Sequence, residues 1–134
     1  MGLEIEDADD DEVGFLLQPC GALKGKRCSL YAHRPDCCRT FECRLLQEVQ
    51  RGAVSVDRAQ AKISDVVRRI ERVQHLIAEL GAGDERLPLK ERCAEALARV
   101  EESKTNPRMN RKRAELQAAM AAVERMIQKT FLKG

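Results

Sequence analysis

Apolar residues recur every three or four positions at Val56, Ala59, Ile63, Val66, Ile70, Val73, Ile77 and Leu80. That spacing lines one face of an α-helix and cannot alternate across a strand. Ser55 stands where an N-cap would, and Gly81 and Gly83 follow the last apolar position as breakers, so the pattern predicts one helix of about 25 residues. Pro88 suits the first turn of a second helix, whose Leu89, Cys93, Leu97 and Val100 share a face up to the break at Asn106 and Pro107. Leu116, Met120, Val123, Ile127 and Phe131 mark a third. Three narrow stripes joined by short turns are expected to bury each other as an antiparallel helical hairpin or three-helix bundle. The alternative is a partner outside the chain, either a homo-oligomer or another helical protein. Val54 and Val56 flank a turn and do not alternate far enough to predict a strand, so the fold class expected is mainly α.

Upstream of Gly52 the helical period disappears and cysteines take its place. Five of the six lie between Cys20 and Cys43, spaced C-x7-C-x8-C-C-x4-C. Thiolates are soft ligands for zinc and for iron–sulfur clusters, and either site draws about four sulfurs from a chain that folds back on itself. The four best placed are Cys20, Cys28, Cys38 and Cys43. Cys37 is read as a spare thiol or a bridge to a second metal, because neighbouring side chains diverge. Metal-bound thiols must be deprotonated, so the surrounding cations Lys24, Lys26, Arg27, Arg34, Arg39 and Arg44 favour the site over the opposing Asp36 and Glu42. Arg39 and Arg44 each adjoin a candidate ligand and are expected to reach sulfur as N–H donors. His33 and His75 read as surface residues, and Cys93, on an apolar stripe, as a small buried one.

The length of 134 residues limits the chain to about one domain. With aromatics at 3% and no Trp, its core must be built from Leu, Ile, Val, Ala and Met. The formal net charge of +2 conceals an asymmetry: the first twelve residues hold seven acidic groups and no basic one, leaving 24 basic against 15 acidic groups elsewhere. Such a run repels itself, so residues 1–16 are expected to be a disordered acidic tail, with 17–52 a cysteine-cluster segment and 53–134 a helical region forming one compact domain with it. No stretch of ~18 apolar residues offers a membrane span, and the acidic start does not resemble a secretory signal. The cytoplasm is therefore expected, where clustered cysteines serve metals more often than disulfides. The basic run Arg108, Arg111, Lys112 and Arg113 lacks interleaved aromatics, which argues against nucleic-acid binding. No Ser/His/Asp set, paired carboxylates or C-x-x-C appears, so the chain reads as a non-enzyme.

Residues 28–43 fit the pattern C-S-[IL]-Y-x-x-R-P-x-x-C-R-x-F-x-C through Cys28, Tyr31, Arg34, Pro35, Cys38, Arg39, Phe41 and Cys43, with Cys20 as the preceding cysteine. In this the chain resembles the second half of the YkgJ-like cysteine-cluster family. The resemblance implies zinc or iron chelation and leaves Cys37 on a variable position. The family's opening block, C-x2-C-G-x-C-C, has no counterpart in residues 1–19, which contain no cysteine. The chain then reads as a shortened member or a paralogue with half of the thiol set. Kinship with the cysteine cluster of flagellin lysine N-methylases is also implied, but no Gly-rich loop after a strand is present to carry methyl transfer over. Two functions remain open: a metal-binding cysteine-cluster protein, non-catalytic or redox-linked, and a metal-free helical interaction module that keeps a relic of a larger cysteine site.

Overall fold

The computed structural model describes residues 5–7, 14–16, 20–81, 83–102 and 106–132. They form two compact units, one of residues 1–41 with 86–88 and the other of residues 42–85 with 89–134. The protein is mainly α, with the cysteine-rich segment preceding the long helices as the sequence predicts.

In the first unit β1 (Ile5–Asp7) pairs antiparallel with β2 (Gly14–Leu16), Ile5 opposite Leu16. These six residues are the described part of the expected acidic tail, and the rest of it lies outside the described residues. A second hairpin joins β3 (Leu23–Lys24) to β4 (Arg27–Cys28). Its two-residue turn needs a left-handed residue, and Gly25 takes φ +61°. The hairpin is closed at its base by Ala22, whose carbonyl accepts both the Ser29 N–H and the Ser29 hydroxyl at 2.7 Å. Neither hairpin is visible in the hydrophobic pattern, since strands of two or three residues have no room to alternate. A 3-10 turn (Tyr31–His33) and Pro35 then lead into α1 (Asp36–Thr40). The Pro35 carbonyl starts that helix by accepting the N–H groups of Cys38 and Arg39 at 3.0 and 3.2 Å.

The second unit contains α2 (Arg44–Gln50), α3 (Val56–Glu79), α4 (Leu89–Glu102), α5 (Pro107–Ile127) and a π-helical turn (Gln128–Leu132). Expected caps are in place. The Ser55 hydroxyl accepts the Arg58 N–H at 3.2 Å, the Asn106 side chain accepts that of Arg108 at 3.0 Å, and Pro107 follows at the first helical position. Gly81 closes α3 at φ +75°. The short helix α2 has no counterpart in the hydrophobic pattern; it ends in Gly52 at φ +77° and packs with the helical unit, so the chain divides after Phe41 and not after Gly52.

Val73, Leu76, Ile77, Leu80, Cys93, Ala96, Leu116 and Val123 make one buried cluster shared by α3, α4 and α5. Ion pairs fix the helix directions. Arg72 faces Glu115 and Glu79 faces Lys112, while Lys90 faces Glu124. Rising numbers on α3 meet falling numbers on α5, and Cys93 and Leu97 of α4 likewise share a cleft with Met120 and Gln117. Helix α5 is therefore antiparallel to both others. The α3 stripe is legible but rotated: Ala59, Val66 and Val73 are buried as expected and Leu76 joins them, whereas Val56 is 60% and Ile63 46% exposed. With Phe131, Leu45 and Leu46 these two line an apolar groove of about 320 Å³ between α2, α3 and the π turn. Among the described residues no helix is long and apolar enough to cross a membrane.

Candidate metal centre

All six cysteines are free thiols. Cys20, Cys28, Cys37 and Cys38 belong to the first unit, and each is positioned by a different local device. Cys20 opens the turn into β3, its carbonyl accepting the Leu23 N–H at 3.0 Å. Cys28 ends β4 opposite Leu23 and is exposed. Cys37 and Cys38 occupy the second and third positions of α1, Cys37 exposed and Cys38 half-buried.

Sequence adjacency predicts that the last two side chains diverge, but their sulfurs stand 3.9 Å apart. Burial is the largest cause pushing the Cys38 thiol above its ordinary pKa, followed by the hydrogen bond with Cys37 and the charges of Cys37, Cys20 and Cys28. The Cys38 thiol thus senses the three other sulfurs of its unit, and negative charge on any of them discourages it on Cys38. A bound cation reverses that balance, because it favours every thiolate together. Among the described residues no group of three or more Cys, His, Asp or Glu is arranged to hold a metal ion in this geometry.

Arg34 adds an orphaned donor. Its guanidinium stacks over the Tyr31 ring with the central carbon 4.0 Å from the centroid, and its Nε is buried with no hydrogen-bond partner. A cation with an unspent N–H in a unit of four thiols suits an anionic sulfur site, whose ligands carry more negative charge than the metal cancels. The chemistry of the donors therefore fits zinc or iron, although a metal would have to bring the outlying sulfurs in towards Cys37 and Cys38.

Cys43 belongs to the helical unit, where its sulfur caps α2 by accepting the Leu46 N–H at 3.5 Å. Thiols are absent from the usual set of cap residues, which is why the sequence does not reveal α2. Arg44, expected to reach sulfur, is instead occupied by Glu48 Oε1 at 3.1 Å and the Lys129 carbonyl at 3.3 Å. His33 is exposed, and His75 is exposed beside Glu79 at 3.5 Å. Cys93 is 3% exposed in the bundle core, where burial first and the Glu124 charge second raise its pKa. It is a small apolar residue there.

No curated protein and no solved structure matches the chain. The CxxCxxCC family model, described as a "putative zinc- or iron-chelating domain", matches residues 3–76, more than half of the chain, and the protein belongs to that family.

Proposed function

We propose that the protein binds a zinc ion or an iron–sulfur centre through the thiolates of its first unit, and that this centre organises that unit. One observation carries the reading: residues 20–41 contain four cysteines, two of them with sulfurs 3.9 Å apart, yet Ala22 is their only buried apolar side chain among the described residues. Hydrophobic burial therefore contributes little order here, which is the situation in which small domains rely on a metal. Cys20, Cys28 and Cys38 supply three sulfurs, while Cys43, the fourth that the sequence pattern offers, lies in the helical unit. Arg34 and Arg39 offset the excess negative charge of the site, and the exposed Tyr31 and Phe41 become its apolar cover. The role is structural or chelating, with redox chemistry added if the centre is iron, in a reducing compartment such as the cytoplasm.

The test is metal and acid-labile sulfide per chain, with a visible spectrum, on full-length protein purified anaerobically from cells supplied with both metals. Stoichiometric colourless zinc, or iron with sulfide and broad visible absorption, is the expected result. Protein that is metal-free and stays so when titrated with zinc or reconstituted with iron and sulfide overturns the reading.

A further inference from the structure

We infer that Cys37 and Cys38 bind the same metal ion as a two-sulfur chelate, in a mononuclear tetrahedral site of the zinc type and not in a four-iron cubane. The inference rests on the metal-binding reading above and goes beyond it, since the family pattern leaves Cys37 on a variable position.

The sulfur separation is the first argument. Two ligands about 2.3 Å from a tetrahedral zinc ion stand about 3.8 Å from each other. Cys37 and Cys38 already hold their sulfurs at 3.9 Å, so one ion can touch both with almost no rearrangement. Their common base is firm: the Pro35 carbonyl holds the Cys38 and Arg39 N–H groups, and the Thr40 hydroxyl donates to the Asp36 carbonyl at 2.8 Å. Little side-chain freedom is then lost when the ion arrives, which is how preorganisation raises affinity.

The competing fate of two close thiols is a disulfide, and here the backbone resists it. Adjacent Cα atoms are fixed about 3.8 Å apart, short of the roughly 4.4–6.8 Å that disulfides span. An oxidised Cys37–Cys38 pair would be strained and readily reduced, so the dithiol stays available as a ligand. A bridging ion closes the ring without that strain. Binding displaces the thiol protons to solvent and moves no electrons.

The same pairing separates a zinc-type site from a four-iron cubane. Each iron of a four-cysteine cubane takes a single cysteine, so two sulfurs aimed at one ion do not fit a cubane and suit a tetrahedral four-sulfur ion. Cys20 and Cys28, the other cysteines of the first unit, then complete a four-sulfur set drawn wholly from it. Cys43 keeps its sulfur on the Leu46 N–H as the cap of α2.

Zinc affinity of the full chain, measured by competition with a chromophoric chelator, tests the inference with Cys37→Ser and Cys43→Ser. Serine preserves the α2 cap, so the second variant isolates ligation from capping. Cys37→Ser is expected to weaken zinc by more than about 100-fold, beyond the 10–100-fold typical of a partner outside the ligand shell. The loss should exceed that of Cys43→Ser at least about tenfold. A comparable or reversed ranking overturns the inference. So does labile sulfide in the native centre, which would leave the broader metal-binding reading intact. A second measurement needs no variant: in the zinc-loaded wild type, iodoacetamide should modify Cys37 only after the metal is removed. Modification of Cys37 while zinc remains bound overturns the chelate, whereas failure of the wild type to bind any metal removes both readings together.

Discussion

The two units of this molecule differ sharply in how much apolar surface they bury. In the helical unit Val73, Ile77, Leu116 and Val123 are 0% exposed and share one cluster across three helices. Burial of such side chains is worth about 1.5–3 kcal/mol each, enough to hold the helices once their backbone hydrogen bonds are made. In the cysteine unit, Leu23, Tyr31 and Phe41 are 49%, 65% and 66% exposed, and the elements run two to five residues. A segment of that kind needs a covalent or metallic constraint to settle into one arrangement. On the proposed reading, stability and chemistry fall to different stretches of the same chain.

The sharpest way to break this comparison is to remove the metal. With the centre stripped by a strong chelator under reducing conditions, amide protection in residues 20–41 should vanish, because ligand binding and folding of such a segment are one event. The helical circular-dichroism signal and the protection of α3 and α5 should persist. Hydrogen exchange resolved by segment checks both, and an unchanged cysteine unit after complete metal loss refutes the division of labour. Acidification should act in the same direction. Protons compete for the thiolates, and the Cys38 thiol already holds its proton above the ordinary pH, so metal affinity should rise from pH 6 to pH 8.

The converse perturbation enters the other unit. Leu116→Ala opens a cavity at a position that is 0% exposed, and should cost about 2–5 kcal/mol of helical-unit stability in urea unfolding. Metal stoichiometry should be unaffected at temperatures where the bundle remains folded. A charge at Ile70 belongs to the same class: the residue packs against the buried cluster, so its substitution by Glu should destabilise the bundle itself.

How much of this was legible depends on how each element is specified. Helices α3 and α5 announce themselves through Ser55, Gly81 and Asn106–Pro107, local chemistry that acts whatever the rest of the chain does. Their inward faces were less certain, because a period of 3.6 gives the stripe but not its rotation. Val56 and Ile63 belong to the stripe in sequence, yet they flank the groove beside α2, a helix capped by a thiol and so missed. The cysteine cluster was legible as composition and spacing. What the sequence could not supply was the rotamer pairing of Cys37 with Cys38, since adjacency alone argues for divergence and only the first turn of α1 brings the sulfurs to 3.9 Å.

Smaller effects sharpen the account of the helical unit. Ser55→Ala removes the acceptor for the Arg58 N–H and should cost about 0.5–2 kcal/mol, read as a lower urea midpoint without a change in slope. The smallest effect expected is at Glu79. Its carboxylate accepts the Lys112 ammonium at 2.6 Å, and that hydrogen bond is the main reason its pKa lies below the usual value, with the Lys112, His75 and Arg108 charges assisting. A depressed carboxylate stabilises the folded chain while ionised, above its unfolded pKa, and the contribution fades as pH falls through the folded value. Glu79→Gln should therefore lower the urea midpoint slightly at pH 7 and no longer do so near pH 2, where both proteins carry a neutral group. Because the pair joins α3 to α5 at an exposed edge, salt should shrink the difference at pH 7 as well. A gap between the two proteins that survives at both pH 2 and high salt would mean that Glu79 contributes through packing and not through charge.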